Sequence, residues 1–291
     1  MTDNAIDEWL NNAIPPGSGR YYALLHASDA SRRRLHAITT LVSVWSKLCF
    51  SNREIEVAQK KVDWWREELR RNTNRHPVTL ELNNALEATP DTNNAKNRIA
   101  LFEHLEVVLE AYGSLLTSGS PATEKKNKEF HMRTGGTSCL LICNLPEAPL
   151  TAQKISDAGI LLSRLRCLRY LHAHINNGLM CLPMAELESR DIKPNQFIPG
   201  NIPADACRYL TESIDTIAKE IQGSLDGFGQ ASFNHAESDG AKVIYVYLAQ
   251  QLRLLDAMKK NVDHLFLPEA RLSPLRNYWH AFRAAAKFER L

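Results

Sequence analysis

Between Gly159 and Pro183 the chain sets a tyrosine and a histidine one helical turn apart, Tyr170 and His174, behind three arginines, Arg164, Arg166 and Arg169. Side chains at i and i+4 share a helix face, and on periodicity alone Tyr170 and His174 read as satisfied polar residues of a core helix followed by a turn. An imidazole is a nitrogen donor suited to zinc and other transition metals, but one imidazole does not make a site. Six cysteines, Cys49, Cys139, Cys143, Cys167, Cys181 and Cys207, contain no C-x-x-C pair and no finger-like spacing. No metal is therefore assigned from sequence. Cys139 and Cys143, four apart in an apolar run, read as small core residues. Glu103, Glu106 and Glu110 stand at i,i+3 and i,i+4 steps and could hold a cation in principle, although a solvated helix face explains them with less. Gly135-Gly136 has neither a phosphate-loop lysine nor a preceding strand, so it is no nucleotide motif. Each glycine costs a helix about 1 kcal/mol relative to alanine, so the pair marks a kink or a close approach.

The elements that must position these residues read as helices. Ile160, Leu161, Leu165, Leu168 and Leu171 recur at three- and four-residue steps and predict one buried helix that ends after His174 in Asn176-Asn177-Gly178, with Leu182-Pro183 redirecting the chain. The same period predicts helices over about 30–49, from about 54 to 71, from Pro77, over 98–116, from Pro121, over 203–225, over 239–262 and over 273–288. Polar loops are expected over 89–97 and 227–240, and Leu267-Pro268 should interrupt the chain before its last helix. Strand alternation is almost absent, so the chain reads as all-α. Trp64-Trp65 reads as a packing feature. The last helix is basic and amphipathic, with Tyr278, Trp279 and Phe282 among Arg276 and Arg283. Its aromatic face is expected in the core, with docking on a partner or a membrane surface as the alternative.

A chain of 291 residues, 44% hydrophobic, can bury a large core as one domain. A formal charge of +2 argues against nucleic acid as a partner. The acidic start MTDNAIDEWLNN lacks an apolar signal core, and no run reaches eighteen apolar residues. A reduced cytoplasmic location is expected, with peripheral membrane contact compatible with it.

Several phrases resemble the squalene/phytoene synthase family. Leu168-Arg169 and Leu182-Pro183, with Gly178 between, keep the spacing of its second signature, and Val62 to Leu69, VDWWREEL, resembles its L-x-W-W-R-x-E-L phrase. Tyr21, Tyr22, Ala23, Arg32, Leu35, Ala37 and Ile38 fall in register with its opening, and Phe130 to Thr137 parallels its glycine-containing helix. The resemblance runs from about Gly19 to the C-terminal helix. It implies the isoprenoid-synthase fold: a single helical domain over 19–291, after an N-terminal segment 1–18, around a central cavity whose mouth carries two aspartate motifs. In the family those aspartates hold Mg²⁺ against a prenyl diphosphate. Here the second motif's carboxylate positions are Tyr170 and His174, and in the same register the first motif falls on Ser46, Lys47 and Phe50. The family's diphosphate-contacting serine corresponds to Gly19, and its upstream glutamine and asparagine to Ser163 and Arg166.

The resemblance, with these departures, implies a catalytically degenerate member. Such a protein keeps the cavity for a lipid-like isoprenoid ligand or a protein partner and needs no cofactor. Ligand contacts are then expected from Tyr21, Arg32, Gly135, Gly136 and Arg169. The alternative is an active prenyltransferase joining two prenyl diphosphates head-to-head, with Mg²⁺ held by other carboxylates and Tyr21, Arg32 and Arg169 on diphosphate. Arg164 and Arg166 lie about 200° apart around a helix, so they cannot both face that diphosphate. A third reading is a subunit of a hetero-oligomer whose catalytic partner is a related synthase.

Overall fold

The computed structural model describes residues 3–51, 54–71, 73–88, 94–121, 123–144, 150–198, 200–228, 235–260, 262 and 272–291. Helix starts follow local chemistry. Ser18 accepts a hydrogen bond from the Tyr21 amide (3.2 Å) to open α2 (Gly19–Leu24), and Ser273, followed by Pro274, caps α14 (Pro274–Phe288) at the Arg276 amide (3.4 Å). Thr123 caps α7 (Glu124–His131), so that helix begins three residues after Pro121. The remaining α-helices among the described residues are α1 (Asp3–Ala13), α3 (Asp29–Ser51), α4 (Ile55–Arg70), α5 (Pro77–Glu87), α6 (Asn94–Ser118), α8 (Thr137–Cys143), α9 (Leu150–Arg169), α10 (Leu171–Asn176), α11 (Met184–Ser189), α12 (Ala204–Phe228) and α13 (His235–Lys259). No strand occurs among these residues. Residues 89–93 and 229–234 of the expected loops, and Leu267-Pro268, lie outside the described residues, and the remainder, 94–97, 227–228 and 235–240, is helical as parts of α6, α12 and α13.

Two apolar clusters fill the interior. One joins α3 to α6 through Leu41, Trp45, Trp65, Leu82, Leu105 and Leu109. The other joins α8, α9, α12, α13 and α14 through Ile155, Leu165, Ile221, Ile244 and Ala285. Glu68 is fully buried: its Oε1 accepts from the amides of Arg75 (2.7 Å) and His76 (2.8 Å) and from the Thr79 hydroxyl (2.7 Å), which fixes α4 to the start of α5, while its Oε2 makes no hydrogen bond and has the Arg71 guanidinium 3.6 Å away. Trp65 is buried against Trp45 and His76, while Trp64 is 41% exposed, so half of the tryptophan pair serves the core. Glu106 and Glu110 pair with Arg70 and Arg66, the solvated-face role.

The expected glycine kink is a π-helical turn, Met132–Gly136, between α7 and α8. There Gly135 backs onto Gly159 of α9 so closely that a Cβ on either would lie within 2.1 Å of the other's carbonyl oxygen. Gly136 is held as tightly by Ser156, whose hydroxyl would stand 2.6 Å from an added Cβ.

Two expectations are corrected. The predicted helix through His174 is broken at Tyr170, whose φ of −109° and ψ of 18° leave helical geometry and separate α9 from α10. Neither glycine nor proline stands there, and periodicity, which reports only which face is apolar, carries no trace of it. The aromatic face of α14 is also not in the core. Leu275, Tyr278, Trp279 and Phe282 are 46–66% exposed, and Asn277, Ala281, Ala284 and Ala285 make the buried contacts, because the small residues let α14 lie flat on α13.

Candidate functional site

A cavity of about 730 Å³ opens between the two clusters, a size ordinary for a small-molecule site. Its walls come from the end of α1 and the following 15–18 turn, α2, α3, α9, α10, α13 and the start of α14. The N-terminal segment is thus part of the cavity wall: Ile14 is buried, the Ser43 hydroxyl donates to the Ala13 carbonyl (3.2 Å) and Lys47 to that of Asn12 (3.1 Å). A smaller apolar cavity of about 80 Å³ lies deeper, beside Gly135, Gly159, Cys139 and Ile244. Arg20, Leu162, Arg166 and Tyr247 line both.

The charge in these walls has one sign. Arg20, Lys47, Arg166 and Arg169 line the larger cavity, and among the described residues no Asp or Glu lines either one. Arg20 lies over the Tyr247 ring, 5.3 Å from its centroid, and hydrogen-bonds its phenol. Burial alone would push that phenol up, but Arg20, Arg169 and Arg166 together hold it below the usual tyrosine value. Arg166 donates to the Tyr112 hydroxyl (3.4 Å), and Arg169 sits over the Tyr170 ring (5.4 Å). Among the described residues none of the arginines Arg20, Arg166 and Arg169 has a carboxylate within ion-pair distance. Arg164, two residues from Arg166, instead points away and pairs with Glu220 of α12.

The structure brings residues matched to the two motifs into contact. Phe50 of α3 stacks on His174 of α10 with centroids 3.9 Å apart and planes 25° off parallel. Ser46, Lys47 and Tyr170 also line the cavity. Burial, reinforced by Arg166, lowers His174 to about 3, so its imidazole is uncharged at neutral pH. Mg²⁺ demands hard oxygen anions in octahedral array. A hydroxyl, an ammonium, a phenyl, a phenol and a buried imidazole do not fit it, and four cations repel it.

The expected ligand contacts divide. Arg169 lines the larger cavity and Gly135 the smaller, whereas Gly136 packs on Ser156. Tyr21 and Arg32 line neither: Tyr21 packs edge-on against Tyr22, and the Arg32 guanidinium binds the Ala27 carbonyl (2.9 Å) and Asp29 (2.7 Å) at the start of α3. Sequence reading missed Arg20 and Tyr247. Arg20 directly follows Gly19, the position matched to a diphosphate contact, and that neighbourhood was its one signal; Tyr247 sits in a helical pattern that does not mark it. It also missed the polar floor, where the Gln250 amide donates to the Asn277 carbonyl (2.9 Å) and the Asn277 amide to that of Gly17 (3.0 Å).

A family model described as squalene/phytoene synthase matches residues 16–279. No curated protein matches the sequence. Among solved structures, a dehydrosqualene synthase crystallised in complex with ligand is similar at 13% identity and a TM-score of 0.72, with 99% of each chain covered. At that identity the likeness carries the fold, the all-α isoprenoid-synthase architecture, and not the activity. With a match over that much of its length, the chain belongs to the squalene/phytoene synthase family.

Proposed function

We propose that this protein binds an anionic, isoprenoid-like amphiphile in the larger cavity and does not condense prenyl diphosphates. One observation carries the reading: among the described residues four cationic side chains and no carboxylate line the cavity, with Phe50 and His174 stacked where a metal-dependent synthase needs acids. Guanidinium groups satisfy a diphosphate or carboxylate headgroup directly, and the apolar walls from Leu162, Leu165 and Leu254 take the chain. The guanidinium groups hold the diphosphate before and after its bond to the chain breaks, but a lining without carboxylates to hold a metal ion offers no Lewis acid that strengthens as the diphosphate departs, so binding is not followed by ionisation. Calorimetry with farnesyl diphosphate should show binding whose affinity is the same in Mg²⁺ and in chelator, and incubation with Mg²⁺ should release no pyrophosphate. Mg²⁺-dependent formation of a head-to-head product at ordinary enzyme rates would show the active-synthase reading to be the right one.

The exposed face of α14 supports a second element of this proposal, docking at a lipid surface. Leu275, Tyr278, Trp279 and Phe282 form one stripe at i, i+3, i+4 and i+7, with Arg276 and Arg283 beside it, and Pro274 and Asn277 of the same helix line the cavity. No helix among the described residues is long and apolar enough to cross a membrane, so contact would be peripheral. Trp279→Glu with Phe282→Glu is expected to cut co-sedimentation with anionic vesicles at least tenfold without lowering the melting temperature. Equal sedimentation of wild type and variant would rule the surface out.

A further inference from the structure

The sequence assigns no cysteine to a metal, yet the fold gathers two of them around the histidine that stands in a lost carboxylate position. Cys167 lies in the last turn of α9, His174 on α10 and Cys181 beyond the following turn. Their candidate donor atoms lie within 4.8 Å of one another, and all three residues are buried. Two features of the chain make the convergence. The break at Tyr170 re-aims α10, and Gly178 at φ +72° closes a Schellman turn, with Leu179 N–H on the His174 carbonyl (2.9 Å) and Gly178 N–H on that of Ile175 (2.9 Å). That turn folds Cys181 back beneath His174. His174 also lines the large cavity, so the cluster sits behind its wall.

His174 is 1% exposed and its Nδ1 has no hydrogen-bond partner. A buried polar nitrogen without a partner costs free energy, and it asks for an explanation in a histidine aligned with two thiols. A fourth donor stands outside that trio and would have to be drawn in. Cys49 of α3 is buried, interacts electrostatically with both Cys167 and Cys181, and spends its thiol on a long contact to the Tyr112 carbonyl (3.5 Å). Zn–S and Zn–N bonds of about 2.3 and 2.0 Å place tetrahedral donors roughly 3.5–3.8 Å apart, so the trio needs to contract by about 1 Å. Thiolate and imidazole together select a borderline-soft ion over Mg²⁺.

We propose that Cys167, His174 and Cys181 bind a structural zinc ion, with Cys49 as the fourth ligand. The three thiols give up their protons to solvent on binding, leaving a site of net charge −1 that the cavity arginines offset. The ion would pin α3, α9, α10 and the Cys181 segment together behind the Phe50–His174 stack, shaping the cavity wall without touching the ligand.

The test uses the full chain, free of any affinity tag, kept reduced and stripped of metal, then titrated with Zn²⁺ against a chromophoric chelator and with Co²⁺ by absorption. One equivalent should bind, and Co²⁺ should give thiolate charge-transfer bands with intense tetrahedral visible bands. Cys167→Ser and Cys181→Ser should each abolish those bands, Cys49→Ser should weaken them, and Cys207→Ser should leave them intact. Should the serine variants fail to fold, the zinc absorption edge of the metal-loaded wild type decides: sulfur scatterers at about 2.3 Å must appear, and a shell of nitrogen and oxygen alone overturns the proposal. A reduced wild-type chain that takes up no stoichiometric metal overturns the proposal, and so do cobalt bands that survive in the Cys167→Ser, Cys181→Ser double variant. An unchanged spectrum in Cys49→Ser removes the fourth ligand.

Discussion

Gly159→Ala is expected to destabilise the fold by about 2–4 kcal/mol, although alanine is the better helix former by about 1 kcal/mol. The added methyl would lie 2.1 Å from the Gly135 carbonyl oxygen and 2.9 Å from the Gly136 amide nitrogen. Both are main chain, so no rotamer change can relieve the clash; α9 and the π-helical turn must move apart. At about 2–4 °C per kcal/mol for a domain approaching this size, the melting temperature should fall by roughly 4–16 °C. Gly223→Ala on α12 is the matched control. Nothing stands within 4 Å of its added methyl, so the same chemical change should raise stability by about 0.5–1 kcal/mol. The opposite signs separate helix propensity from packing. A Gly159→Ala chain that melts at or above the wild type would show that the two helices are not in contact as described.

The contrast bears on what could be read in advance. Helix existence was legible nearly everywhere because burial of one face imposes a 3.6-residue period, and the paired glycines were legible as a close approach because a helix does not otherwise tolerate their cost. The partner of that approach was not: Gly159 is a lone helical glycine, and only the fold shows what it faces. Loss of acid at Ser46, Lys47, Phe50, Tyr170 and His174 was visible as residue type. Their assembly into an aromatic stack was not, since 124 residues separate Phe50 from His174 and the register of α3 against α10 is tertiary. Cys167, His174 and Cys181 stand seven apart, a spacing that no regular helix turns into a cluster; it takes the unforeseen break at Tyr170. Tyr21 and Arg32 show the converse, lying outside the lining of both cavities. Register with a motif places a residue on an element, and their side chains are spent on local contacts.

The cavity arginines should show the trade between stability and binding that marks a site kept for a ligand. Arg166→Met is expected to weaken farnesyl diphosphate binding by about 30-fold or more, the roughly 2–5 kcal/mol typical of removing one charge from a desolvated, hydrogen-bonded pair. The free protein should not lose stability in proportion. Arg166 makes one long hydrogen bond to Tyr112 and otherwise shares with Arg20 and Arg169 a cavity that no carboxylate of the described residues lines, so its removal relieves repulsion while a side chain of similar length keeps the packing. Arg164→Met supplies the comparison from the same helix: it breaks the Glu220 pair on the outer surface and should leave affinity unchanged. Lys47→Ala, removing an exposed ammonium at the mouth, should cost only a few-fold, and that cost should vanish in high salt as an exposed charge is screened. If Arg166→Met binds as tightly as wild type, or if Arg164→Met loses as much, the positive lining is not a headgroup site and the cavity's charge must serve something other than an anion.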